Sequence, residues 1–146
     1  MTNSEPLPWD VSTPFTINVT AHKDDLDGFN HVNNLVYIRW QEEVSWAHSK
    51  ALGLTIEDYI ELGVGVIVHQ NNVTFLAPVL VGDNLSVATW ITSNDGRLRM
   101  QRRHQIIRLA DKKIVFRGTT NYVSIDMVTG KPRLMPPLFR QVYAVI

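Results

Sequence analysis

Apolar and polar positions change rhythm twice along this chain. Phe15, Ile17, Val19 and Ala21 alternate with Thr16, Asn18 and Thr20, the period-two pattern of a strand with one buried face. From Asn33 or Asn34 to Leu52 the period lengthens. Val36, Trp40, Val44, Ala47 and Ala51 recur at spacings of three and four, so they line one side of a helix that Gly53 is placed to end. Glu42, Glu43 and Lys50 fall largely off that line. Thr55 followed by Asp58 resembles a capping arrangement for a short second helix through Leu62, which Gly63 and Gly65 then break.

Alternation then returns. Val64, Val66 and Val68 share one phase while Val73, Phe75 and Ala77 share the other, which predicts a bulge or bend around Gln70 to Asn72 if both halves face one core. Pro78 ends that run. Leu85, Val87, Thr89 and Ile91 give the next strand, and Asn94-Asp95-Gly96 is a hairpin turn signal. Leu98 to Leu109 and Ile114 to Ile125 give two more strands, joined at Ala110 to Lys113. One long helix followed by four strands with short turns suits antiparallel pairing with the helix across one sheet face, not a βαβ array. Residues 1–11, with Pro6 and Pro8 and little periodicity, read as a loose arm. No linker-like stretch divides the 146 residues, so they read as one domain.

Composition narrows the chemistry. Lys plus Arg and Asp plus Glu balance at 14 each, so no global field draws the protein to nucleic acid or to an anionic membrane. The absence of cysteine removes disulfides, thiolate nucleophiles and cysteine metal sites. The five histidines show no zinc spacing, and there is no GxSxG elbow or phosphate-binding glycine loop. Without a leader-like start or a membrane-length apolar run, the expectation is a soluble cytoplasmic protein. Only 19% of residues are charged, a hint that another subunit covers part of the surface.

The densest chemistry lies at residues 25–37, DLDGFNHVNNLVY. Carboxylates, an imidazole and amides stand directly before the long helix, whose unpaired N–H groups and positive dipole end polarise an electron-rich carbonyl. Asp27 can act there on a carbonyl or on a water. Read structurally, the same aspartates and asparagines are turn and cap residues.

That run, with Glu42 and Glu43 following on the helix, resembles the signature of hotdog-fold acyl-CoA thioesterases of the 4-hydroxybenzoyl-CoA thioesterase type. VTFLAPVLVGDNLSV (Val73 to Val87) is similar to the family's strand, proline, Gly-Asp turn and next strand, and TGKPRLMPP (Thr129 to Pro137) resembles its ending. The resemblance implies an α+β hotdog fold, a bent antiparallel sheet wrapped around one long central helix. It implies hydrolysis of an acyl-CoA to free acid and CoA with no metal or redox cofactor, a role that belongs to lipid metabolism. It also implies a homodimer, or a homotetramer built from two dimers, with the acyl tunnel at the subunit interface. Asp27 maps onto the family's catalytic aspartate, acting as nucleophile or general base, with Asp25 as a supporting carboxylate. His31 orients Asp27, touches the thioester oxygen, carries protons, or serves structurally. Val32, Asn33 and Asn34 supply backbone donors, and Tyr37 packs against the motif.

Asn30 stands where many members have glycine. Asn tolerates a left-handed backbone, and its amide is a candidate to hold the attacking water. The similar DLDxNxHVNN motif of plant acyl-carrier-protein thioesterases places Asn one position earlier, so both CoA and carrier protein stay open. Glu43 is a helix carboxylate of the kind some hotdog thioesterases use, or a solvated one. Of the basic residues, alternation sends Arg97, Arg99 and Arg103 to the face opposite Arg102 and Arg108. Arg97, Arg99 and Lys131 are the candidates to meet the phosphates of CoA. The rival readings are a hotdog enoyl-CoA hydratase and a non-catalytic acyl-binding protein.

Overall fold

The computed structural model describes residues 5–146. Five strands, β1 (Phe15–Thr20), β2 (Val64–Phe75), β3 (Asn84–Asn94), β4 (Arg99–Arg108) and β5 (Lys113–Asp126), form one sheet in the order β1-β3-β4-β5-β2. Every pairing is antiparallel. The long helix α1 (Asn34–Ala51) lies against β1 and β3, and the short helices α2 (Ile56–Leu62) and α3 (Pro137–Val142) close the far end of the sheet. This is the hotdog arrangement.

Local chemistry sets most boundaries as expected. Asn33 caps α1 by accepting from the Leu35 N–H, and Gly53 follows it at φ 94°. Thr55 and Asp58 form a complete capping box at the start of α2, because the shorter carboxylate still reaches back to the Thr55 N–H at 2.8 Å. The phase change in β2 is a register shift between Val68 and Gln70.

Two expectations need correction, and one element is new. Ala51 is exposed and Ala47 only half-buried, because the last turns of α1 turn Ser49 into the interior instead. The N-terminal arm, whose first four residues lie outside the described ones, is docked: the Asp10 N–H donates to Gln105 Oε1, and the Asp10 carboxylate pairs with Arg117. Helix α3 was not expected. It starts where Pro137 occupies N1, a position at which a missing N–H costs nothing.

Two apolar clusters fill the space between helix and sheet. One gathers Val36, Tyr37, Trp40, Val44, Leu85, Val87, Ile106 and Phe116; the other gathers Leu54, Tyr59, Ile91, Met100, Phe139 and Tyr143. Along the inner face of β4, Met100 belongs to the second and Ile106 to the first, while Arg102 and His104 stand between them, both buried. A polar seam therefore separates the two cores.

Candidate active site

The chain leaves β1 through a single 3-10 turn (Lys23–Asp25) and folds into a tight loop closed by a bridge between Leu26 and Val32. Asp27 organises its tip. Its Oδ1 accepts from the Phe29 N–H at 2.8 Å and the His31 N–H at 3.2 Å, and its own N–H donates to the His31 carbonyl at 2.7 Å. Oδ2 has no partner among the described residues. Asn30 sits at φ 61°, the left-handed conformation its side chain tolerates, so the turn survives without glycine.

Asp25 is the structural carboxylate of the pair. It is buried, accepts from the His22 N–H at 2.9 Å and from Arg39 Nη2 at 3.0 Å, and its carbonyl accepts from the Asn33 N–H. Burial pushes its carboxyl upward, but the His22 N–H and the Arg39 guanidinium outweigh that and hold it below the ordinary value. Arg39 also pairs with Glu43 at 3.4 Å, which makes Glu43 a surface partner of the same cluster.

The predicted donors divide. The Val32 N–H is taken by the Val79 carbonyl and the Asn33 N–H by Asp25, so neither is available to a substrate. The Leu35 N–H is capped by Asn33 Oδ1, and the Val36 N–H reaches the Asn33 carbonyl. The Asn34 N–H alone in this set has no partner among the described residues. Tyr37 is a core residue: its ring packs on Trp40, Phe75 and Phe116, and its hydroxyl donates to the Ala77 carbonyl. It holds the loop's neighbour, the segment around Val79, and does not face the tip.

Arg97, Arg99 and Lys131 are exposed, and the structure does not bring them to Asp27 within one chain. The loop adjoins the start of β3, through Ala21 to Asp83 and Val32 to Val79. Arg97 and Arg99 follow the turn at the other end of that eleven-residue strand, about 35 Å away at roughly 3.3 Å per residue. Lys131 lies at that far end too, its carbonyl accepting from the Asp126 N–H. The His31 and Asn30 side chains are exposed, as are Phe29 at 83% and Leu35 at 74%. The loop is thus a surface feature of a single chain.

A second polar system lies under α1. Gln41 and Asn71 exchange two amide hydrogen bonds, and Gln41 Nε2 also donates to Thr120 Oγ1 at 3.0 Å and meets His104 Nδ1 at 3.1 Å. Ser45 Oγ lies 2.7 Å from His104 Nε2, a separation that suggests a serine nucleophile and its base. The network assigns the opposite polarity. The single Ser45 hydroxyl proton is donated to the Gln41 carbonyl, so Ser45 accepts from His104, which places the imidazole proton on Nε2 and leaves Nδ1 facing the Gln41 amide. Burial, with Arg102 and His48 nearby, also holds His104 well below its ordinary pKa. Among the described residues no cluster of three or more His, Asp or Glu side chains is arranged to hold a metal.

Residues 21–142 match the thioesterase-like superfamily. The chain belongs to that superfamily. As a thioesterase-like protein it is a thioester hydrolase, built on the fold that solved thioesterases share. A 1,4-dihydroxy-2-naphthoyl-CoA thioesterase from Synechocystis superposes with a TM-score of 0.81 at 20% identity, over 90% of this chain and 96% of that one. A DHNA-CoA thioesterase from Staphylococcus aureus gives 0.81 at 20% identity, over 89% and 88%. A further Staphylococcus aureus protein, solved in complex with CoA, gives 0.82 at 18% identity, over 90% and 82%. At these identities the likeness establishes the shared fold. Among the described residues of this superfamily member, no helix is long and apolar enough to cross a membrane.

Apolar periodicity alone does not reveal the polar seam. Its signal was present: Gln41, Ser45 and Ser49 recur every four residues beside the apolar line of α1, so the buried stripe of the helix is wider than its apolar residues.

Proposed function

We propose that the protein hydrolyses an acyl-CoA to the free acid and CoA at the mouth of α1, in the manner of the 4-hydroxybenzoyl-CoA type. The observation that carries this reading is the Asp27 carboxylate. One oxygen is fixed by two backbone N–H groups and the other has no partner among the described residues, on the loop that leads seven positions later into the unpaired Asn34 N–H at the helix start. A thioester carbonyl polarised by that N–H and the helix dipole presents its carbon to Asp27, or to a water that Asp27 deprotonates. Asn30 and His31 are exposed on the same tip, and in this reading they hold that water and pass protons.

A surface loop does not exclude water from a reaction, so the site is completed by a second copy. Phe29 and Leu35 flank the tip, and β2 is an edge strand carrying exposed Ile67, Val68 and Phe75. Both are surfaces that isolation leaves costly and a homodimer covers; a homotetramer repeats the same pairing. Arg97, Arg99 and Lys131 reach the CoA phosphates only if another subunit brings them to the loop. Solved relatives that carry CoA or act on 1,4-dihydroxy-2-naphthoyl-CoA support the substrate class.

The test is thiol release from a panel of acyl-CoAs by the intact protein and by Asp27→Asn and Asp27→Ala. A fall of at least about a hundredfold in kcat is expected in both. Undiminished release in both variants removes Asp27 from the mechanism, and water addition to an enoyl-CoA without thiol release replaces the reading with a hydratase.

A further inference from the structure

The polar seam contains a charge that the Asp27 loop does not use. Arg102 is 2% exposed on the inner face of β4. Its Nη1 donates to His48 Nδ1 at 2.7 Å, its Nη2 to Ser49 Oγ at 3.2 Å, and the Tyr143 ring lies 5.4 Å from its Cζ. Among the described residues no carboxylate comes within 4.0 Å of it. Buried guanidinium groups are ordinarily paired. The neighbouring rings do not change the sum: burial and Arg102 push His48 down to about 4 and hold His104 well below its usual range, so both are neutral and Arg102 stands as an uncompensated cation.

That cation borders a cavity of about 360 Å³ between α1 and strands β2, β4 and β5, within the range of small-molecule sites. Ser49, Tyr59, Tyr122 and Tyr143 share its wall with Arg102. The hydroxyls of Tyr59, Tyr143 and Ser49 are hydrogen-bonded in series, ending beside the guanidinium. Only two of the five N–H donors of Arg102 have acceptors among the described residues. Glu42 is the one carboxylate of the lining and is exposed, so it repels an anion at the opening and favours one seated at the Arg102 end.

We propose that this cavity receives the far end of a long carboxylate-bearing acyl group, with the carboxylate taken by the free donors of the Arg102 fork and by the one hydroxyl proton that the Tyr59, Tyr143 and Ser49 series leaves over. A planar guanidinium matches a carboxylate with two parallel donors. The proposal rests on the acyl-CoA reading only for the identity of the group's other end.

Two measurements on the intact protein test it. In calorimetry, monomethyl suberate binds at least about tenfold more tightly than dimethyl suberate, and Arg102→Met abolishes the difference, the scale of one charge-assisted hydrogen-bonded pair. In thiol-release assays, kcat/KM favours ω-carboxy acyl-CoAs over methyl-ended ones of the same length, with hexadecanedioyl-CoA against palmitoyl-CoA as the central pair, because Ser49 beside Arg102 lies roughly 22 Å along α1 from the Asn34 N–H at about 1.5 Å per residue. Arg102→Met loses that preference while still hydrolysing palmitoyl-CoA, and Arg102→Lys, which keeps the charge without the fork, retains part of it. Wild-type protein that binds both suberate esters equally, or hydrolyses both thioesters equally, overturns the proposal. So does a preference that survives in Arg102→Met. Calorimetric binding with no thiol released from any substrate leaves the cavity assignment standing and removes the hydrolase reading instead.

Discussion

The loop before α1 and the seam beneath it are both polar, yet they are built at different ranges. Side-chain bonds around Asp25 and Asp27 join residues at most 14 apart in sequence. Those of the Gln41 side-chain amide join residues 30 to 79 apart, and Ser49 meets Tyr143 across 94. The first region is a set of turns and caps that form wherever such residues adjoin a helix start. The second exists only because β2, β4, β5 and α3 converge on one face of α1. A local constellation is free to sit at the surface and carry chemistry. A convergent one is buried, so every unmatched group in it costs stability.

Substitutions in the two regions should therefore divide between activity and stability. Asp27→Asn keeps an acceptor for the Phe29 and His31 N–H groups, so kcat falls at least about a hundredfold while the urea unfolding free energy stays within about 1 kcal/mol of wild type. Gln41→Leu does the reverse: it strands Asn71, Thr120 and His104, and a loss of about 3 kcal/mol is expected in urea unfolding. A Gln41→Leu protein as stable as wild type would erase the contrast. Gly118→Ala sharpens it, since a Cβ there would lie 2.7 Å from Gln41 Nε2, and displacing the amide should cost about 2 kcal/mol.

Acid should act on the seam before the loop. The pKa of His48 is lowered from 6.5 to about 4 in the fold, first by burial and then by Arg102. The unfolded chain binds the proton more readily, so this contribution is complete above pH 6.5 and is lost as pH falls toward 4. Discounted for its partial exposure, it amounts to about 1 kcal/mol, and His48→Gln, which keeps an acceptor for Arg102 without titrating, should flatten the slope in urea unfolding between those limits. The smallest effect is expected at Asn30→Gly: at φ 61° glycine is equally at ease, and the unfolding free energy should move by less than about 1 kcal/mol. A drop in kcat beyond about tenfold there would assign the Asn30 amide a part in holding water.

The same division explains which features were legible. The alternation of β1, the capping of α1 and α2, the phase change in β2 and the Asn94 turn all depend on neighbours within a few residues, and each is found, the phase change between Val68 and Gln70, just before the expected Gln70 to Asn72. Alternation along β4 correctly separates Arg102 from Arg99 and Arg103, yet alternation does not say which of the two faces is covered, and it is Arg102 that is buried. Val32 and Asn33 were expected to donate to a substrate because they adjoin the helix start. The Val79 carbonyl, 47 positions beyond Val32 along the chain, takes one of those donors, and no local pattern announces it.

By itself the sequence determined the rhythm of strand and helix, the turn that fixes the Asp27 carboxylate and the kinship to thioesterases, because propensity, capping and motif all act between near neighbours. The tertiary structure alone decided that Tyr37 is core, that Arg97, Arg99 and Lys131 lie a sheet's length from Asp27, and that Arg102 is a buried cation facing a cavity. Those are consequences of which distant segments meet and how much water is left between them, and burial is what gives a lone charge its energetic meaning.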